Sequence, residues 1–244
     1  MSSFALKLVA LAAMITDHIG DVFGFFIPDS FFMRLIGRTA FPLYAFMIAE
    51  GCRHTKNFKK YLIRLGIFAL VSEIPFDLCF ENGNAIYRRD IIFFSLDTQN
   101  VFFSLFLAAL AIFVFEECKK IKRPWLGALA FPAAMYAAEF IRSDYGAKAI
   151  IAIGLIYFAK NKFMKAAAVI IGAAIIYLPS VGYRGYLFGH MISFGLAAFA
   201  FASIPALLVC FYNGKRGPEI KYFFYAMYPL HLLALAAVQI LLMI

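Results

Sequence analysis

Charge is scarce in this sequence. Only 15% of its 244 residues are Asp, Glu, Lys or Arg, while 64% are hydrophobic and the mean hydropathy is +0.83. Soluble domains carry about 25% charged and about 45–50% apolar residues. A water-soluble fold of this length is excluded, because too few polar side chains exist to cover it. Alternating polar and apolar segments are also missing, which excludes a membrane β-barrel. Cysteine is sparse as well. Cys52, Cys79, Cys118 and Cys210 form no C-x-x-C, and none stands at metal-ligand spacing from a histidine. They read as small buried hydrophobes, with no disulfide and no metal site expected. No internal repeat and no low-complexity tract appears, so residues 1–244 read as one domain.

What is present is a set of continuous apolar runs of bilayer-spanning length, about 20 residues for a helix. The fold expected is an all-α polytopic transmembrane bundle of about nine spans: 4–27, 31–50, 61–80, 101–118, 124–141, 145–159, 164–178, 187–212 and 222–244. Small residues at Ala10-Leu11-Ala12 mimic a signal-peptide cleavage site. That first run is too long and too polar at its centre for such a peptide, and retention is expected. The net charge of +9 lies mostly in alternate short loops, so it is a topogenic signal and not a nucleic-acid footprint. Arg53, Lys56, Lys59 and Lys60 fill the second loop, Lys119, Lys120, Lys122 and Arg123 the fourth. Lys160, Lys162 and Lys165 fill the sixth, and Lys215, Arg216 and Lys221 the eighth. The odd loops hold only Arg88, Arg89, Arg142 and Arg184. Basic loops face inward, which puts the N-terminus in the cytoplasm and the C-terminus outside. The third loop offers a turn at Glu81-Asn82-Gly83-Asn84 and an interfacial patch at 91–94. The seventh, 179–186, reads as a structured outer turn.

Thr16-Asp17-His18-Ile19-Gly20-Asp21 breaks the first apolar run. Ionisable groups inside a membrane are expensive and mark function by default. The proposed orientation gathers further polar groups into the same outer half: Arg34 and Arg38, then Glu73 and Asp77, then Asn100, then Asp144 and Tyr145. At 100° per residue Lys7 and His18 share a face, Asp21 lies close to it, and Asp17 sits to one side. Tyr228 and His231 share a face of the last helix. Each feature also has a plainer reading. The Asp–His cluster can pack helices together, and Arg34 and Arg38 can be ion-pair partners. Glu73 and Asp77 can cap an interface around Pro75, and His231 can pack in a kinked helix. His54 and His190 read as solvated or interfacial.

Several ordered motifs resemble the TraX family, whose members are membrane proteins associated with acetylation of conjugative pilin. They are Ile15-Thr16-Asp17-His18-Ile19-Gly20, then Arg34-Leu35-Ile36-Gly37-Arg38-Thr39-Ala40-Phe41-Pro42-Leu43, then Ile48-Ala49-Glu50-Gly51 with His54-Thr55. Ser72-Glu73-Ile74-Pro75-Phe76-Asp77-Leu78, Gln99-Asn100-Val101-Phe102-Phe103, Asp144-Tyr145-Gly146, and Tyr222-Phe223-Phe224-Tyr225 with Tyr228-Pro229-Leu230-His231 complete the series. TraX-like proteins are similar in turn to a wider group of polytopic acyltransferases. In the glycan-modifying members a basic residue precedes a catalytic histidine by eleven positions, as Lys7 precedes His18. Their paired arginines are separated by two residues, where three separate Arg34 from Arg38.

The resemblance implies an acyltransferase of the plasma (inner) membrane, using acetyl-CoA and no metal. The acceptor would be an amine or hydroxyl of a pilin-like protein or surface glycan at the outer face. His18 is then the catalytic base or acyl carrier, oriented by Asp17 or Asp21. Arg34, Arg38, Glu73, Asp77, Asn100, Asp144 and Tyr145 bind substrate or oxyanion. Lys7, Glu50, Tyr225, Tyr228 and His231 line the donor path, behind basic loops that attract the CoA phosphates. The alternative reading of the same buried cluster is a proton-coupled transporter or flippase.

Overall fold

The computed structural model describes residues 1–81, 93–187, 190–218 and 220–243. The turn residues Asn82-Gly83-Asn84, the loop arginines Arg88 and Arg89, and the first half of the 91–94 patch lie outside them. The described residues form twelve α-helices: α1 Ser3–Val22, α2 Ser30–Gly37, α3 Ala40–His54, α4 Phe58–Phe80, α5 Val101–Lys120, α6 Pro124–Ala128, α7 Ala130–Phe140, α8 Gly146–Phe158, α9 Lys162–Tyr177, α10 Phe194–Ser203, α11 Pro205–Cys210 and α12 Lys221–Met243. Beside these α-helices the described residues hold a short 3-10 helix, Leu178–Ser180, and one hairpin. Among the described residues, five helical stretches are long and apolar enough to cross a membrane: Ser3–Val22, Ser30–His54, Val101–Lys120, Lys162–Ser180 and Tyr222–Leu242. α4 is as long but carries Arg64, Glu73 and Asp77.

Starts and breaks follow from local chemistry. Asn57, Asn100 and Asn161 cap α4, α5 and α9 by accepting from the amides of Lys60, Phe102 and Met164. Ser2 and Ser193 do the same for α1 and α10. Such caps satisfy amides that have no intrahelical partner. Proline sets the interruptions. Pro42, Pro132 and Pro205 each stand in the first turn of a helix that resumes after a break. A proline cannot donate to the carbonyl four residues earlier. The single helices expected over 31–50, 124–141 and 187–212 are therefore pairs: α2–α3, α6–α7 and α10–α11.

Two boundaries also move. α1 ends at Val22 and not at residue 27, because Phe23 to Pro28 turn toward α2. The segment expected from residue 187 begins with a hairpin, β1 Arg184–Leu187 paired antiparallel with β2 His190–Ser193, and its helix starts only at Phe194. His190 thus lies in a strand. Its apolar neighbours Leu187, Met191 and Ile192 imitate the start of a helix in the sequence.

α1 packs on α2, α3 and α12, and α12 packs on α4. The first and last helices therefore meet. α1 and α2 approach closely because Gly37 has no side chain; a Cβ there would fall on the Asp17 side chain. At the far end of α3, Glu50 accepts from Arg53 and Lys165, both at 2.7 Å. The Arg53 guanidinium also donates to the carbonyls of Ile156, Tyr157 and Ala159, which closes the C-terminus of α8. One carboxylate thereby ties α3, α8 and α9 together.

Removing Glu50 strands two cations, and breaking such a pair costs about 3 kcal/mol. Glu50→Ala is expected to lower the melting temperature of the purified protein sharply; an unchanged melt would refute this role. Gly37→Val forces α1 and α2 apart, for a loss of about 1–3 kcal/mol. Gly182→Ala has open space around it and is expected to stay within about 0.5 kcal/mol of the parent. Denaturant melts of the two glycine variants measure the contrast.

Candidate functional site

Asp17 is the anchor. Arg38, in the break between α2 and α3, donates through Nη2 to both Asp17 carboxylate oxygens, at 2.5 and 2.7 Å. Its Nε donates to the Arg34 carbonyl at 3.1 Å. Arg34 reaches Asp17 at 3.3 Å and Asp21 at 2.9 Å through Nη1. The Arg38 side chain is 11% exposed and Arg34 26%. Arg38 is thus the more enclosed, with its guanidinium 5.9 Å from the Phe194 ring and 6.0 Å from the Tyr177 ring. Asp17 was expected in the catalytic set, to one side of the helix face that carries Lys7 and His18. It stands toward α2 because its arginine partners lie there.

Around this knot is a cavity of about 260 Å³. Of the residues singled out in the sequence it brings together Asp17, His18, Asp21, Arg34, Arg38, Asp144, Tyr145 and Tyr228. Met14, Tyr44, Phe76, Phe80 and Val101 complete much of the apolar wall. These apolar residues carry no chemical signature in a sequence rich in phenylalanine. Asp144 and Tyr145 are held by a paired pair of loops. The Asp144 amide donates to the Gln99 carbonyl at 2.8 Å, and the Gln99 amide to the Arg142 carbonyl at 3.1 Å. Ser104 adds a hydroxyl bond to Ser143 at 2.9 Å and another to the Asp144 carbonyl. Tyr145 caps α8 from the left-handed region, φ 62°, and stacks on Phe41 with centroids 4.0 Å apart.

His18 does not bond either carboxylate expected to orient it. Its Nδ1 lies 2.7 Å from Nε2 of His231 on α12, and His231 Nδ1 lies 2.7 Å from the Met227 carbonyl oxygen. The His18 ring also packs edge-on against Phe80 and Tyr228. His231, expected along a donor path, is the direct partner of His18.

The remaining candidates lie elsewhere. Glu73 accepts from the Asn100 side chain and, at 3.3 Å, from its amide. Asp77 accepts from the Ser95 amide at 2.7 Å. These three brace the α4–α5 connection and do not line the cavity. Lys7 holds its Nζ 5.4 Å from the Phe224 ring centroid, and Tyr225 stacks on Phe68 at 5.0 Å. Glu50 belongs to the three-helix ion cluster.

A second, more open cavity of about 620 Å³ lies at the opposite end of α4. Cys52, Phe58, Phe113 and Tyr157 form its apolar side, with Arg53, Lys56, Lys59, Lys119 and Lys120 around it. Glu116 accepts from the Tyr157 hydroxyl at 2.9 Å, and Glu117 pairs with Lys120 at 2.6 Å. Lys59 on this cavity and Phe76 on the first are seventeen residues apart along α4, about 25 Å at 1.5 Å per residue.

The arrangement can be set beside known proteins. No solved structure matches the chain. A curated relative, the probable fimbrial assembly protein FimC, serogroup H1, of Dichelobacter nodosus, is 30% identical over 252 residues, covering 99% of this chain and 97% of its own. The family model described as TraX protein matches residues 2–239. With nearly its whole length matched, from Ser2 through the helix that carries His231, this chain belongs to the TraX family.

Proposed function

We propose that this chain is a multi-pass acyltransferase of the plasma (inner) membrane, moving acetyl from cytoplasmic acetyl-CoA to an amine or hydroxyl at the outer face. The observation that carries it is His18. It is an imidazole on the wall of a cavity, fixed by hydrogen bonding on one nitrogen, with two guanidiniums beside it. The reading takes nine spans with the N-terminus in the cytoplasm. In support, each apolar segment of the sequence contains a helix or a proline-broken helix, and loop charge alternates. The His18 cavity then opens outward, and the lysine-rimmed cavity opens to the cytoplasm, where it meets the phosphates of the donor. The fimbrial assembly protein it is similar to favours a pilin-like acceptor over a glycan.

The chemistry is a single displacement. The acceptor N–H or O–H attacks the thioester carbonyl carbon while His18 removes its proton, which adds about 10²–10⁴-fold in rate for a well-placed base. Negative charge collects on the carbonyl oxygen. Arg34 is the more open of the two guanidiniums and is suited to stabilise it; Arg38 keeps Asp17 in place. The C–S bond then breaks, and the proton held on His18 passes to the leaving thiolate. Tyr145 and Phe41 shape the wall and keep water from the reacting carbonyl.

Purified protein in lipid nanodiscs, given acetyl-labelled CoA and a pilin-like peptide, tests this. Label is expected to reach the peptide, and His18→Ala is expected to lower the rate at least about 100-fold with the fold intact. Undiminished transfer by His18→Ala, or proton-driven flux without CoA, would overturn the proposal. Lys56→Gln with Lys59→Gln is expected to raise KM for acetyl-CoA about tenfold, equal to about 1.4 kcal/mol, and to leave kcat unchanged. Initial rates against donor concentration read this out.

A further inference from the structure

His231 has a task that its place on α12 does not announce. A carbonyl oxygen only accepts, so the 2.7 Å contact between His231 Nδ1 and the Met227 carbonyl requires a proton on that nitrogen. A neutral imidazole carries one N–H. His231 Nε2 is therefore a bare acceptor, and the nitrogen 2.7 Å from it, His18 Nδ1, must supply the proton. With Nδ1 protonated, a neutral His18 has its lone pair on Nε2. That is the ring nitrogen left for the cavity, because Nδ1 is committed to His231.

We infer that His231 is a positioning residue that fixes the tautomer of His18. The inference rests on the acyl-transfer reading and deepens it. The backbone of α12 orients His231, and His231 orients His18, in a chain running from the Met227 carbonyl to the lone pair in the cavity. An aspartate does this work in the familiar serine triad by accepting from the Nδ1–H of its histidine. Here a second histidine accepts instead, and the nearby carboxylates, Asp17 and Asp21, are held by Arg34 and Arg38. When His18 Nε2 takes the acceptor's proton, its Nδ1–H stays bonded to the neutral His231. The proton returns from Nε2 to the leaving thiolate, and His231 neither gains nor loses one over the cycle.

The tautomer is directly observable. In protein labelled with 15N at histidine, His18 is expected to carry its proton on Nδ1, against the ordinary preference of the free side chain for Nε2. His231→Leu removes the acceptor and is expected to return His18 to the Nε2–H form. His231→Gln keeps an acceptor oxygen for His18 and a donor for the Met227 carbonyl, and is expected to preserve Nδ1–H. In the acetyl-CoA assay His231→Leu is expected to lower kcat about 100-fold with KM for acetyl-CoA unchanged, and His231→Gln to recover most of that loss. An Nε2–H proton on His18 in the parent protein overturns the inference, whether or not the variants fold. So does full turnover by His231→Leu where His18→Ala is dead, and that result leaves the acyl-transfer reading standing. Full turnover by both variants overturns the two together.

Discussion

The bond between Arg38 and Asp17 is the constraint around which this bundle is arranged. A guanidinium among apolar helices is tolerated only when paired and hydrogen-bonded. Arg38 satisfies that condition through both oxygens of one carboxylate. The pairing needs α1 and α2 in close contact, which Gly37 allows. Arg38 caps α2 at the break before α3, a break that Pro42 favours by withholding an amide from the Arg38 carbonyl. Once Asp17 is fixed, His18 is fixed with it, because one residue along a helix is a rotation of 100°. The turn that directs Asp17 to α2 directs His18 to α12. α1 is a wedge that shows a carboxylate to one neighbour and an imidazole to the other.

That geometry explains what could be read in the sequence and what could not. The helices were legible, since their length and continuity follow from the solvent they must match. The starts expected at residues 61, 101 and 164 fall close to the observed ones at Phe58, Val101 and Lys162, where Asn57, Asn100 and Asn161 supply the caps. The residues around the cavity were found largely by one rule, that a membrane keeps charge only where charge is used. The rule locates groups and is silent about pairs. Asp17 and Asp21 both suited the role of orienting His18, and neither takes it, because the arginines compete for them more strongly than an imidazole does. His231 was visible as a polar residue on a face shared with Tyr228. Its contact with His18 depends on which helix packs beside α1, and no periodicity within either helix contains that.

The polar groups that do not line the cavity are not idle. Glu73, Asn100 and Asp77 hold the entry to α5, and the loop carrying Gln99 in turn holds the loop carrying Asp144 and Tyr145. Residues that resemble site chemistry in the sequence are here one step removed from it, securing the backbone that carries the site. Glu50 repeats the pattern at the far end, where Arg53 closes α8. The buried polar groups named here thus divide into those that meet the cavity and those that brace the helices and loops around it.

The meeting of the first helix with the last has a consequence for how the protein is made. His18 and His231 are separated by 213 positions in the chain. During synthesis α1 enters the bilayer early, and the arginines that pair with Asp17 follow it within 21 residues of growth. The imidazole pair has no such local partner. It closes only when α12 emerges and docks against α1 and α4, after α2 to α11 have been delivered. His18 therefore waits unsupported while α2 to α11 are made, and the arrival of α12 is what supplies its partner.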